Sequence, residues 1–191
     1  MSLLYFPSSS SSGGGALTFI SNATASSDSS LEFTSGIDST YESYYFYFDG
    51  LKMGTDDVSF SFQSSTNGGT AYGISCSSAT WYAYNSGSAN DLAYLGSQDL
   101  FSSSSEQPCG FYLGNDADIY LSGWLSLAKP ASTSMIKNWS YQTFYHNKNN
   151  EAVMLSGQGF FDTSTAIDAI RFQPSSGNFD GTISLYGLKQ S

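Results

Sequence analysis

Residues 166–189 read AIDAIRFQPSSGNFDGTISLYGLK, and their reading decides the fold. Ile170 and Phe172 alternate with Arg171 and Gln173, and Ile183 and Leu185 alternate with Ser184 and Tyr186. A period of two places one apolar row on one face of each strand and a polar row on the other. Between the two runs, Pro174 to Gly181 is dense in residues that fix or permit turns. Pro174, Gly177 and Gly181 interrupt any helix of useful length. The stretch therefore predicts two strands joined by a turn, expected as a hairpin closing a sheet.

The same pattern extends outward. VSFSFQ at 58–63 alternates strictly, with Val58, Phe60 and Phe62 predicted inward. YESYYFYF at 41–48 is the run most prone to form a strand, with Tyr44, Phe46 and Phe48 on one face and Tyr45 and Tyr47 on the other. Two aromatic faces predict a strand in a sheet centre or at a subunit contact. Tyr72, Ile74 and Cys76 alternate next, and Ile119, Leu121, Gly123 and Leu125 share a face further on. Residues 136–145 form a long, half-polar strand. Two glycines within 153–161 predict a bulge or a curved strand. About ten to twelve short strands result, with turn signals spaced as in a sandwich or barrel. No segment sustains a helical apolar period.

Composition agrees. Aromatics make up 16% of the 191 residues and charged groups only 12%, a balance that favours pleated sheets over helices. The length suits one domain with an extra arm. Residues 1–15 join an apolar plug, Leu3, Leu4, Tyr5 and Phe6, to a Ser/Gly tether. That segment reads either as a disordered tail or as an arm that docks on a neighbouring subunit or scaffold, and the arm is the expectation carried forward. Residues 16–191 form the sandwich. The N-terminus lacks the basic start of a secretory signal, and no apolar run is long enough to span a bilayer. Asn22 and Asn138 head glycosylation sequons, read as chance matches in the absence of such a signal.

The net charge is −10, and the six Lys plus Arg are scattered singly. Nothing in the sequence clusters cations against phosphates, which disfavours nucleic acid and anionic membranes as partners. Cys76 and Cys109, outside any CxxC spacing, cannot make a zinc site alone and read either as two buried thiols or as one disulfide.

Several runs together resemble a known family. They are Gly15-Ala-Leu-Thr-Phe-Ile with Thr24-Ala-Ser, then Phe33-Thr-Ser-Gly-Ile-Asp-Ser-Thr-Tyr-Glu-Ser-Tyr. Phe48-Asp-Gly-Leu, Thr55-Asp-Asp and Asn67-Gly-Gly-Thr-Ala-Tyr continue the match. Ile170-Arg-Phe, Ser175-Ser-Gly-Asn and Gly181-Thr-Ile-Ser-Leu-Tyr-Gly complete it. The chain resembles a jelly-roll domain of virion structural proteins in tailed phages, of the capsid decoration and tail-fibre kind. The likeness spans 15–189, is strongest at 33–57 and 170–188, and leaves 85–150 without a motif. It implies a two-sheet antiparallel jelly-roll sandwich and a localisation on the virion after assembly in the host cytoplasm. It implies no enzyme and no cofactor. Partners would be other virion proteins, the major capsid protein or tail components, with the chain itself a homo-oligomer, expected as a trimer. Without a stem or a collagen-like repeat, the expected role is a capsid decoration or cement protein fixed by its N-terminal arm. The alternative is a tail-fibre tip that binds host cell-surface glycan.

Candidate chemistry is sparse. His146, the sole histidine, lies in a polar turn with no nucleophile elbow to serve. Glu32, Glu42, Glu106 and Glu151 form no recognisable glycosidase pair. Asp116 and Asp118 in Gly-Asn-Asp-Ala-Asp are a weak calcium candidate, short of a full twelve-residue loop. Trp81, Tyr82 and Trp139 are candidates for stacking on a sugar, weighed against the commoner use of aromatics in cores and interfaces.

Overall fold

The computed structural model describes residues 17–88 and 90–189. The Leu3, Leu4, Tyr5 and Phe6 plug and its tether lie outside them. The described chain is a sandwich of two antiparallel sheets. Its strands are β1 (Leu17–Asp28), β2 (Leu31–Phe33), β3 (Ser43–Met53), β4 (Val58–Ser65), β5 (Cys76–Asn85) and β6 (Asn90–Tyr94). They continue with β7 (Gln107–Leu113), β8 (Leu121–Ala128), β9 (Lys137–His146), β10 (Ala152–Phe161), β11 (Ala169–Pro174) and β12 (Phe179–Leu188). A single turn of 3-10 helix, Gly96–Gln98, follows β6. Among the described residues no helix is long and apolar enough to cross a membrane.

The large sheet has the order β1-β12-β3-β8-β9-β10-β5-β6, and the small sheet the order β2-β11-β4-β7. The deciding stretch thus forms its two strands, but they do not pair as a hairpin. β11 pairs with β2 and β4, whereas β12 pairs with β1 and β3 in the opposite layer. The chain between them crosses the edge of the sandwich through Gly177, whose φ of 73° lies in the left-handed region. Both apolar rows still face one interior, from opposite sides. That explains why alternation found the strands and missed their partners.

The interior is aromatic. Phe172, fully buried on β11, has the rings of Phe33, Phe46, Phe48, Phe60 and Phe62 at centroid distances of 5.3–6.4 Å. Most of these pairs are edge-to-face, the arrangement favoured by the ring quadrupole. A second cluster joins Phe62, Trp139, Tyr141 and Phe161 between β4, β9 and β10. Here the two glycines of β10 find their reason. They cause no bulge, for β10 keeps its register with both neighbours. A Cβ on Gly157 would sit 2.5 Å from the Tyr141 ring, and one on Gly159 would lie 2.5 Å from the Trp139 indole. The missing side chains make room for two large rings on β9.

Cys76 and Cys109 are both free and buried, which decides between the two readings of the cysteines. The β4–β7 register shifts at Cys109, so that Phe60 faces Gly110 and Ser61 faces Pro108. The Cys109 carbonyl turns instead toward the other layer and accepts a 2.7 Å hydrogen bond from Thr143 Oγ1 on β9. Replacing Thr143 by valine preserves shape and strands this buried acceptor. The expected loss is about 1–3 kcal/mol in chemical denaturation, with an unchanged denaturant slope.

Candidate binding face and groove

The outer faces of the two sheets differ. The small sheet presents Glu32, Arg171 and Gln63 in one cross-strand row. Arg171 Nη2 donates to Gln63 Oε1 at 2.6 Å, and its guanidinium lies 4.5 Å from the centre of the Tyr72 ring. This is an ordinary solvated surface held by polar contacts.

The large sheet turns aromatics outward. One row runs Phe19, Tyr186, Tyr45 and Ser126 across β1, β12, β3 and β8. The next contains Tyr47, Trp124 and Gln142, and reaches Trp81 and Tyr94 on the far side. Phe19 and Tyr47 are each 55% exposed. The two-faced aromatic pattern of 41–48 thus yields Tyr44, Phe46 and Phe48 to the core and leaves Tyr47 exposed in the middle of the sheet. Among the described residues β1 is the outermost strand of this sheet, with Leu17 and Phe19 exposed near its N-terminal end. An unpaired edge carrying apolar side chains is a template for pairing with another chain.

At the opposite edge of the same sheet lies a groove of about 910 Å³, built from β8, β9, β10, β5, β6 and the turn before β8. Its floor is one continuous cross-strand row: Ser122, Phe144, Met154, Ala83 and Leu92. The adjacent row is His146, Ala152, Asn85 and Asn90. Tyr120, Asp118 and Asp91 complete the lining. Tyr82, lying half-buried against Tyr84, donates its hydroxyl to Asp91 Oδ2 at 3.1 Å. Burial, and after it this hydrogen bond to a carboxylate, hold the Tyr82 phenol above its ordinary range.

The residues singled out in the sequence scatter. Trp81 stands partly exposed in mid-strand, edge-on to Tyr94 at 5.8 Å. Tyr82 is committed to Asp91. Trp139 is a correction: at 3% exposure its indole is stacked on Tyr141 inside the sandwich and offers no face to a sugar. Its place in the alternation of β9 is inward, in step with Tyr141, Thr143 and Tyr145. Asp116 and Asp118 are exposed in their turn, where the Asp116 carbonyl accepts from the Ile119 amide at 3.1 Å. Asp118 lines the groove and Asp116 does not. Among the described residues no three His, Cys, Asp or Glu side chains gather as a metal-binding group.

His146, Tyr120, Phe144 and Asp91 went unremarked as a set. One signal was present: Phe144 and His146 take outward positions on a strand whose inward positions already hold large rings. Their convergence with β5 and β6 depends on the pairing of β10 with β5, segments about seventy residues apart, which no local pattern records. Comparison with protein-family models, with curated proteins and with solved structures returns no match for this chain.

Proposed function

We propose that the chain is a non-enzymatic virion structural protein of a tailed phage, a decoration or cement unit attached through its N-terminal arm and displayed as a jelly roll. The supporting observation is the strand order. Setting β5, β6, β9 and β10 aside leaves β1-β12-β3-β8 packed over β2-β11-β4-β7. The order in which the chain then visits the two layers supports reading it as a jelly roll of two interlocked Greek keys. Runs that carry the family resemblance lie on this frame or in its connections: 170–172 on β11, 181–187 on β12, and 33–44 from the end of β2 through the loop into β3. The apolar edge of β1 supports the attachment reading, because it continues the arm toward a partner surface. The partner is another virion protein, and many copies acting together offset weak single contacts.

Quantitative mass spectrometry of purified particles tests this. Hundreds of copies per particle are expected. A few to a few dozen would favour the tail-fibre alternative, and absence from particles would end the proposal. Deleting residues 1–15 is expected to abolish incorporation while the circular dichroism of the sandwich is unchanged. Undiminished incorporation of the truncated chain would refute anchoring by the arm.

A further inference from the structure

We propose that the groove at the β6 edge of the large sheet is a binding site for a neutral oligosaccharide. This goes beyond the attachment reading, which concerns the opposite, β1 edge; copy number tests that reading and glycan binding tests this one.

Four strands outside the eight-strand frame make most of the groove. β5 and β6 enter between β4 and β7, and the β9–β10 pair enters between β8 and β11. All four join the large sheet beyond β8. None of these four strands carries a run of the family resemblance, and neither do the frame strands β7 and β8, so the site rests on its own geometry rather than on the frame. The floor crosses five strands, about 19 Å at a spacing of ~4.8 Å. That is a length for several sugar rings in a row, and the volume of about 910 Å³ falls within the usual range for ligand clefts.

The side chains match a pyranose in kind. Tyr120 is 57% and Phe144 47% exposed, and neither ring has an aromatic partner among the described residues. The electron-rich face of such a ring attracts the weakly positive C–H face of a sugar. Alongside lies a row of planar hydrogen-bonding groups, His146, Asn85 and Asn90, with the carboxylates of Asp91 and Asp118 nearby. Amide and carboxylate groups can engage neighbouring hydroxyls in pairs. An apolar strip beside a strip of planar polar groups fits a ligand with one C–H face and one hydroxyl edge.

Charge narrows the class. The groove is lined by two aspartates and by no lysine or arginine. Sialylated, uronic-acid and phosphorylated glycans would meet these carboxylates with no lysine or arginine in the lining; Lys52, whose Nζ donates to the Ala117 carbonyl at 3.0 Å, stands outside it. A second copy of a chain with net charge −10 is disfavoured in the groove for the same reason. Neutral hexose and N-acetylhexosamine oligomers remain.

The test is a glycan array probed with the full-length chain, followed by calorimetric titration of the best neutral oligosaccharide. Binding to neutral glycans and none to acidic ones is expected. Tyr120→Ala and Phe144→Ala should each weaken binding by about five- to tenfold, from the ~1 kcal/mol of one aromatic contact. Asp91→Asn should weaken it too, with circular dichroism unchanged in all three variants. Trp81→Ala, outside the groove, should leave affinity as it is. Preference for acidic glycans, absence of binding to any neutral glycan, or affinity that falls only with Trp81→Ala would each overturn the proposal. So would capture of a cationic peptide at the groove by a chain that ignores every sugar.

Discussion

Phe172→Ala should remove about 3–5 kcal/mol of stability, the range for deleting a buried ring that its surroundings cannot replace. The whole margin of a domain is about 5–15 kcal/mol, so this one substitution threatens the fold. Phe172 is fully buried in the small sheet, and its five ring neighbours come from β2 and β4 in its own layer and from β3 in the opposite one. Four of those rings hang from β3 and β4, strands held in hydrogen-bonded register on both sides, so the hole cannot close by moving one element. Guanidinium denaturation should show a lowered midpoint with an unchanged slope. Phe172→Leu, which keeps more volume, should recover part of the loss. Phe144→Ala, truncating an outward ring on β9, should change stability by no more than about 0.5 kcal/mol. A loss below ~1 kcal/mol for Phe172→Ala would mean that the interior does not pack around this ring.

Phe172 also marks how much of the fold is legible from residues alone. Its alternation with Arg171 and Gln173 announces a strand with one buried face, and the structure agrees. What alternation cannot announce is the partner. A period of two is the same whether the next strand pairs alongside or crosses to the other layer, and β11 and β12 cross. Aromatic placement behaves likewise. Tyr44 and Tyr47 stand in one run of like residues, and strand parity puts them on opposite faces without telling which face the core takes. Trp139, a candidate for stacking on a sugar, shares the parity of Tyr141 and Tyr145, and that parity puts it inside. The two glycines of β10 make the complementary case. Glycine in a strand signals either a bulge or a close approach, and only the rings of the facing β9 residues decide for the approach. The groove is the least legible feature, since its floor is a row with one residue from each of five strands.

Alkali should unfold the domain cooperatively between about pH 10 and 12. Besides the Tyr44 phenol, whose hydroxyl bonds the exposed Asp38, four acidic groups are sealed in the interior: the thiols of Cys76 and Cys109 and the phenols of Tyr141 and Tyr145. Burial pushes the Cys76 thiol up to about 12 and raises the other three above their ordinary values. Unfolded, thiols ionise near pH ~8.5 and phenols near ~10. Between the unfolded and the folded pKa the unfolded chain holds fewer protons, so stability falls as pH rises. Below the unfolded pKa both states are protonated and the stability is fully present. Each group contributes a slope of about 1.4 kcal/mol per pH unit, so the two thiols give ~3 above pH ~9 and all four give ~5.5 above pH ~10. That exhausts a margin of about 5–15 kcal/mol within one to two units. Lys137 acts in the other direction: burial lowers its pKa, which favours the fold as pH rises toward ~10.5, but it is a single group and its effect ends there. Denaturation midpoints measured against pH, together with phenolate absorbance, check the account. Exposed tyrosines should ionise gradually, and the buried pair should ionise in one step with loss of the β-sheet dichroism. Converting both Cys76 and Cys109 to alanine should flatten the decline between pH 9 and 10, where only thiols titrate, and leave the steeper one above it. A stability that stays level to pH 11 in the unmutated chain would show that these four groups reach solvent without unfolding, and the sealed interior described here would be wrong.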